Sequence, residues 1–443
     1  MLFETLLVFV VATVAGIFSG IMPGIGIFVT ITIAYPFLLQ IDPINVVLFY
    51  VVLTSIDQYY NGISAIVFGI PGYSTNIPSV IEGHNLFLND KGSDAIMFSA
   101  ISSWLLSLFA VTLLIFIYPL FWFFTQFMTS QFQFIIFFFT LVIMVFFSQN
   151  KFYINVLLLF VGLFLAKIGY HNDGTDFFTF GYIPLYNGIP VLAITTAFFV
   201  IPMFLKTYLE KSSNIYWPEI KIKKYSQYFK EIIHYRWTLF RSGIFGCVGG
   251  FIPGLSYHSS TLISYYIERN IRIKQKKYKE GDINCLIASE GSNNAGVFTQ
   301  LLPLIFLGIP ITASEGLIYD LLESRGLSLT INFFHDMLYT VVIGFIISST
   351  IGLFIAGKYI NLLKIISGIK LITVYIFITI ILFSIIFLLG NMTMNGTNHI
   401  MITMALIPFG LLLYKYDVTP LLYGFFLQEK IFEVSQRLII FYF

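Results

Sequence analysis

Two polar runs interrupt an otherwise apolar chain, and their residue types suit the binding of ions more than covalent chemistry. The first is Asp57-Gln58-Tyr59-Tyr60-Asn61-Gly62, followed by Ser64. The second is Ser289-Glu290-Gly291-Ser292-Asn293-Asn294, followed by Thr299-Gln300. Each leads through a short apolar arm to Gly-Ile-Pro, at Gly69-Ile70-Pro71 and Gly308-Ile309-Pro310. Hydroxyl and amide residues come next: Ser74, Thr75 and Asn76 after Gly72 in one half, Thr312 and Ser314 before Glu315 in the other. Carboxylate, amide and hydroxyl oxygens are the ligands a hard cation such as Na⁺ takes. A broken helix leaves N–H groups unpaired and a positive dipole end free, which can hold an anion without a buried lysine. The expected cation ligands are therefore Asp57, Gln58, Ser64, Glu290, Ser292, Asn293 and Asn294.

The elements that must position these residues are set by composition. The chain is 58% hydrophobic and only 10% charged, with mean hydropathy +0.87, whereas soluble domains carry about a quarter charged residues. Leu105 to Met128, Phe132 to Phe147 and Leu371 to Leu389 contain no Asp, Glu, Lys or Arg. The first and third are long enough to span about 30 Å of hydrocarbon. Their apolar residues are continuous, not alternating, which fits spanning helices and not a β-barrel. The 50 Phe and 27 Tyr suit lipid-facing surfaces and interfacial belts. Ionisable groups inside such a bilayer protein face a bundle interior or a substrate path. Met1 to Ile21 lacks a basic leader and a small-residue cleavage site, so it reads as a first membrane helix.

A second pair of motifs lies upstream of the polar runs. Gly16, Gly20, Pro23 and Gly24 recur in order as Gly246, Gly250, Pro253 and Gly254, with Gly26 and Ser256 two residues beyond. More than half of the 24 Lys and Arg residues lie in two stretches, Lys211 to Arg241 and Arg269 to Lys279, which the positive-inside rule places in the cytoplasm. The uncharged segment between them must then turn back. Its Pro253-Gly254 break divides it into arms of about 11 residues, each about half the hydrocarbon core. A re-entrant helical hairpin follows, with the Pro-Gly dipeptide at its tip. A Pro-kinked spanning helix is the alternative, and the paired glycines also suit close helix packing.

The expectation is an all-α polytopic membrane protein of about 10 to 12 membrane segments. It comprises two related, inverted repeats, residues 1–205 and 241–443, joined by a cytoplasmic polar connector, 206–240. Each repeat carries a re-entrant Pro-Gly hairpin and broken helices. Duplication with broken helices is the pattern of a secondary transporter. The substrate is then expected at the breaks, against Pro23, Gly24, Gly26, Asn61, Gly72, Ser74, Thr75 and Asn76 from one repeat. Pro253, Gly254, Ser256, Thr312 and Ser314 supply the other side.

The other functional class is a membrane-embedded enzyme acting on a lipid-linked substrate. Catalysis needs a nucleophile with a base, a metal cluster or a carboxylate pair. No His-Glu-x-x-His or Gly-x-Ser-x-Gly occurs, the six His are scattered, and Cys247 and Cys285 form no zinc pattern. A channel would not need two occluding hairpins. No cofactor and no nucleic-acid partner is expected.

These residues resemble the large membrane subunit of tripartite tricarboxylate transporters, the TctA family. The likeness runs through Gly16 to Gly26, Asn61 to Gly83, Gly246 to Tyr265, Ala288 to Ala295, Leu302 to Pro310 and Gly410 to Gln436. It departs at Asn61-Gly62, where the family has Gly-Gly, and at Tyr257-His258, a place that is small and apolar in the family. The resemblance implies a multi-pass inner-membrane importer of small carboxylates such as citrate. It also implies coupling to Na⁺ or H⁺, a small four-helix membrane subunit and a periplasmic solute-binding protein.

Overall fold

The computed structural model describes residues 2–22, 24–125, 130–148, 150–170, 176–209, 223–252, 257–308, 310–326, 331–359, 363, 371–392 and 396–428. It is built almost wholly of helices. The first half holds α1 (Leu2–Ile21), α2 (Ile27–Leu38), α3 (Pro43–Phe68), α4 (Gly92–Thr125), α5 (Ser130–Phe147), α6 (Phe152–Ala166), α7 (Val191–Thr195) and α8 (Ile201–Leu209). The second holds α9 (Tyr225–Glu231), α10 (Arg236–Phe251), α11 (Tyr257–Lys274), α12 (Ile283–Leu307), α13 (Ala313–Glu323) and α14 (Ile331–Ala356). Helices Leu371–Met392 and Gly396–Leu412 follow. A π-helical stretch, Thr196–Val200, joins α7 to α8, and another, Ser79–His84, precedes α4. Two-residue strands, Gly169–Tyr170 and Asp176–Phe177, pair antiparallel. Helix thus enters both ends of the expected 206–240 connector, through α8 and through α9 and α10.

Five described helical stretches are long and apolar enough to cross a membrane: Phe3–Ile21, Phe87–Pro119, Val191–Leu209, Leu338–Ala356 and Ile372–Gly390. Ile27–Leu38, Phe152–Ala166 and Thr397–Leu412 are apolar but shorter. The membrane character is visible in α1. Phe3, Leu7, Val10, Val14 and Phe18 are exposed along one face, while Val8, Ala12 and Ser19 are fully buried on the other. A soluble helix would show the reverse.

The helices that carry the polar runs, α3 and α12, do not meet that apolar criterion. Their Asp, Asn, Gln and Ser residues lower the hydropathy, and neighbouring helices sheathe them. In α3 every residue from Asn45 to Phe68 is buried, as is every residue of α12 from 285 to 305. Both are delimited in the same way. Asp42 and Asp282 cap their N-termini, accepting from Ile44 N–H (2.9 Å) and Asn284 N–H (2.8 Å). Gly69 and Gly308 end them in the left-handed region, each at φ 65°, which glycine alone adopts without strain.

The paired glycines seat one helix against each centre. A Cβ on Gly20 would stand 2.9 Å from the Asp57 carbonyl oxygen, and one on Gly16 would stand 2.9 Å from that of Leu53. Gly246 abuts the Ser292 backbone in the same manner, and Gly250 abuts the Gly296 carbonyl. Close small-residue packing, α1 on α3 and α10 on α12, is therefore the work of these glycines. Ser64 reinforces the first pair by donating to the Gly20 carbonyl at 2.9 Å.

α10 and α11 pack on each other with their chain directions opposed. Gly249 lies against Ser260, and further along Arg241 pairs with Glu268 at 2.6 Å. The pair is thus a helical hairpin whose basic ends lie together. Its tip residues, Pro253, Gly254 and Ser256, lie outside the described residues, as does Pro23.

Candidate functional site

Two helix starts and the residues that follow α3 and α12 converge on one cavity of about 530 Å³. Ile27 and Phe28 at the start of α2, and Tyr257, His258 and Ser259 at the start of α11, line it. Pro71, Gly72 and Tyr73 follow α3 into its wall, and Ile311, Thr312, Ala313 and Ser314 follow α12. Phe198 and Phe199, Lys206 and Thr207 of α8, and the segment Leu413–Thr419 line it as well. That last segment is fastened by a reciprocal pair. Asn150 donates to the Asp417 carbonyl at 2.8 Å and accepts from the Asp417 N–H at 2.9 Å.

Among the expected substrate residues, Gly72, Thr312 and Ser314 line this space directly. Gly24, at φ 82°, stands at its edge, where a Cβ would meet the Thr207 hydroxyl at 2.8 Å. Gly26 lies against the Tyr73 ring, whose hydroxyl accepts from Ile27 N–H at 2.7 Å. Asn61 lies behind Gly72 and accepts from the Asn76 amide at 2.5 Å, while Thr75 donates to the Asn76 oxygen at 2.7 Å. These three hold the first Gly-Ile-Pro segment from beneath. Ser74 begins a 3-10 turn, and its side chain lies outside the described residues.

The expected cation ligands are spread over three places. Asp57 accepts from Ser19 at 2.5 Å, and its Oδ2 has no hydrogen-bond partner. Gln58 joins the halves, accepting from Asn293 at 2.8 Å and donating to the Tyr257 hydroxyl at 3.3 Å. Asn294 donates to the Glu290 carbonyl at 3.3 Å, and Ser292 donates to that of Ser260 at 3.5 Å. Glu290 itself points elsewhere, to Ser79 and, at 3.2 Å, to Ser99, with Gly62 leaving room for its carboxylate. Measured back from the two capping glycines, Gly296 stands level with Asp57, and Gln300 with Asn61. Glu290 lies almost two turns earlier, about 9 Å along the axis. In α3, α12 and α13 the buried amide and carboxylate oxygens without partners are Asp57 Oδ2, Asn293 Oδ1, Asn294 Oδ1, Gln300 Oε1 and Glu315 Oε1. The hydroxyls of Tyr50, Tyr59 and Tyr60 in α3 share that state.

Three features lie beyond the sequence reading. The first is Glu315. With Thr312 it forms a capping box: Glu315 N–H donates to Thr312 Oγ1 at 3.3 Å, and Glu315 Oε2 accepts from Ile311 and Thr312 N–H at 2.6 and 3.1 Å. The start of α13 therefore already has its N–H groups occupied by a carboxyl group of its own. The spacing Thr312-x-x-Glu315 was the available signal. The second feature is positive charge, since Lys206 and Lys415 reach the cavity from elements far apart in the chain.

The third is Glu82, fully buried in the π-helical stretch. It accepts from the Tyr265 and Tyr278 hydroxyls at 2.9 and 3.0 Å and from the N–H groups of Gly281 and Asp282, both at 2.9 Å. Burial and the adjoining Glu82 carboxylate raise the Tyr278 hydroxyl above its ordinary pKa.

A protein of Agrobacterium vitis, described as an uncharacterized 52.8 kDa protein in the TAR-I ttuC′ 3′ region, is 24% identical over 323 residues. That match covers 72% of this chain but 63% of the relative, less than two thirds of its length. An uncharacterized protein of Methanocaldococcus jannaschii is 25% identical over 424 residues, covering 93% of this chain and 94% of the relative. No solved structure matches. The pattern of the tripartite tricarboxylate transporter TctA family matches residues 6–423, nearly the whole described chain, and the protein belongs to that family.

Proposed function

We propose that the protein is the large membrane subunit of a secondary active transporter that imports a small carboxylate anion across the inner membrane. The observation that carries this reading is the single cavity at which corresponding breaks of both halves meet. A transporter built from inverted repeats binds its substrate where broken helices of the two repeats face each other. Here the N-termini of α2 and α11, each the first helix after a Pro-Gly segment, open on that space. The α11 terminus, Lys206 and Lys415 supply positive potential for a carboxylate.

A cation gradient drives accumulation in this reading. The buried oxygens of Asp57, Asn293, Asn294 and Gln300 that lack partners suit a small hard cation, Na⁺, and the Asp57 carboxylate suits a proton. Tyr73 and Tyr257 line the cavity and lie beside Asp57, so an ion there and an anion in the cavity attract each other. The paired basic ends of α10 and α11 are cytoplasmic, and their hairpin is re-entrant. A periplasmic solute-binding protein delivers the substrate, and a small four-helix membrane subunit completes the assembly.

Uptake of radiolabelled citrate and other small carboxylates is measured in membrane vesicles, with and without an inward Na⁺ or H⁺ gradient and the binding protein. Accumulation that depends on the gradient is expected. Uptake that merely equilibrates, or none for any carboxylate, would overturn the proposal.

A further inference from the structure

Resting on the transport reading above, we infer that the cavity takes a carboxylate carried on a flat aromatic ring, in preference to a compact tricarboxylate. Two aromatic walls line the same space. Phe28 and Phe199 form one, with ring centroids 4.2 Å apart. Tyr257 and His258 form the other, 4.1 Å apart, and Tyr73 meets His258 edge-on at 6.3 Å. Rings of this kind attract a planar ligand through its faces and edges. A tricarboxylate such as citrate has no π face to offer them.

The charge of the site points the same way. Among the described residues, the charged side chains lining the cavity are Lys206, Lys415 and Asp417. Two cations against one anion leave little to balance a trianion. Nor does the start of α13 add potential, because Glu315 already occupies its N–H groups. The first N–H of α2 is likewise committed, to the Tyr73 hydroxyl. What remains is the start of α11 and the two lysines, which suit one or two carboxylates. A volume of about 530 Å³ holds a ring with its substituents and lies within the ordinary range of ligand pockets.

The test uses the purified full chain in detergent, titrated separately with benzoate and with citrate while the thermal unfolding midpoint is followed. Benzoate is expected to bind about tenfold more tightly than citrate. His258→Ala and Phe199→Ala, each removing one face of a wall, should weaken benzoate about tenfold and citrate by clearly less. Phe199 is only half-buried, so its truncation keeps the test valid should the His258 variant fold poorly. Citrate binding more tightly than benzoate, or benzoate affinity unchanged in the folded variants, overturns the inference while leaving carboxylate transport standing. If neither compound shifts the midpoint, the carboxylate reading itself falls, and this inference with it.

Discussion

The side-chain amide of Asn293 in α12 donates to the Gln58 oxygen in α3 across 2.8 Å, joining the polar turns of the two halves. Both residues are buried, and Gln58 passes the connection to Tyr257 at the cavity wall. Asn293→Leu strands the Gln58 oxygen without this donor, at a cost of about 1–3 kcal/mol. Gln58→Leu strands the opposite group. The double variant should be less destabilised than the sum of the singles, as read from unfolding in detergent. Strict additivity would mean that the two amides do not act as a pair.

The opposed packing of α10 and α11 fixes which loops share a face. Cysteines introduced at Lys223 and Lys276 should react with a membrane-impermeant reagent from one and the same side. Labelling from opposite sides would require the chain to cross between Arg241 and Glu268, which are in contact.

Gly250 and Gly24 should fail differently when given side chains. Gly250→Val drives a branched Cβ into the Gly296 carbonyl, so stability falls by about 1–3 kcal/mol. Gly24→Val places a β-branched residue at φ 82° beside Thr207 and Tyr375, at the cavity edge. Its loss should appear as lost uptake at near-normal membrane abundance. Uptake by Gly24→Val at the unsubstituted rate would remove that residue from the transport site.

Asn294 offers an oxygen with no partner, while its amide donates back to the Glu290 carbonyl within the same helix. Asn294→Ala should therefore cost little stability and flatten the dependence of uptake on Na⁺. Binding to the proposed periplasmic solute-binding protein should change less. An unchanged Na⁺ profile would assign the cation to other oxygens.

The C-terminal ends of the central helices were readable because the Gly-Ile-Pro breaks at Gly69 and Gly308 are local; the caps at their starts, Asp42 and Asp282, are equally local but went unread. The recurrence of Gly16 and Gly20 as Gly246 and Gly250 also had a local cause, since only glycine lets two backbones meet so closely. What a single sequence did not reveal was rotation about the helix axes. Asp57 and Glu290 look like counterparts in a string of letters, yet one turns toward Ser19 and the other toward Ser79 and Ser99. Lys206 and Lys415 were hidden for a similar reason, because only tertiary packing brings α8 and the 413–419 segment to one cavity. The expected number of membrane segments rested on apolar length, a measure that misses α3 and α12 because their polar residues are sheathed by protein.

Glu82 has a mechanical consequence. Its carboxylate is engaged by four donors, every one of them from the α11–α12 region, while it is itself anchored beside the first Gly-Ile-Pro segment. Glu290 bonds in the other direction, from α12 to Ser79 and Ser99, and Gln58 with Asn293 makes a third tie. Three of the ties between the halves are therefore buried bolts, one at the start of α12 and two farther along it. A conformational cycle that hinged one half against the other would have to withdraw all three together, uncovering buried carboxylates as it did so. Sliding of the central block as a single piece, past the lipid-facing helices around it, leaves every bolt in place.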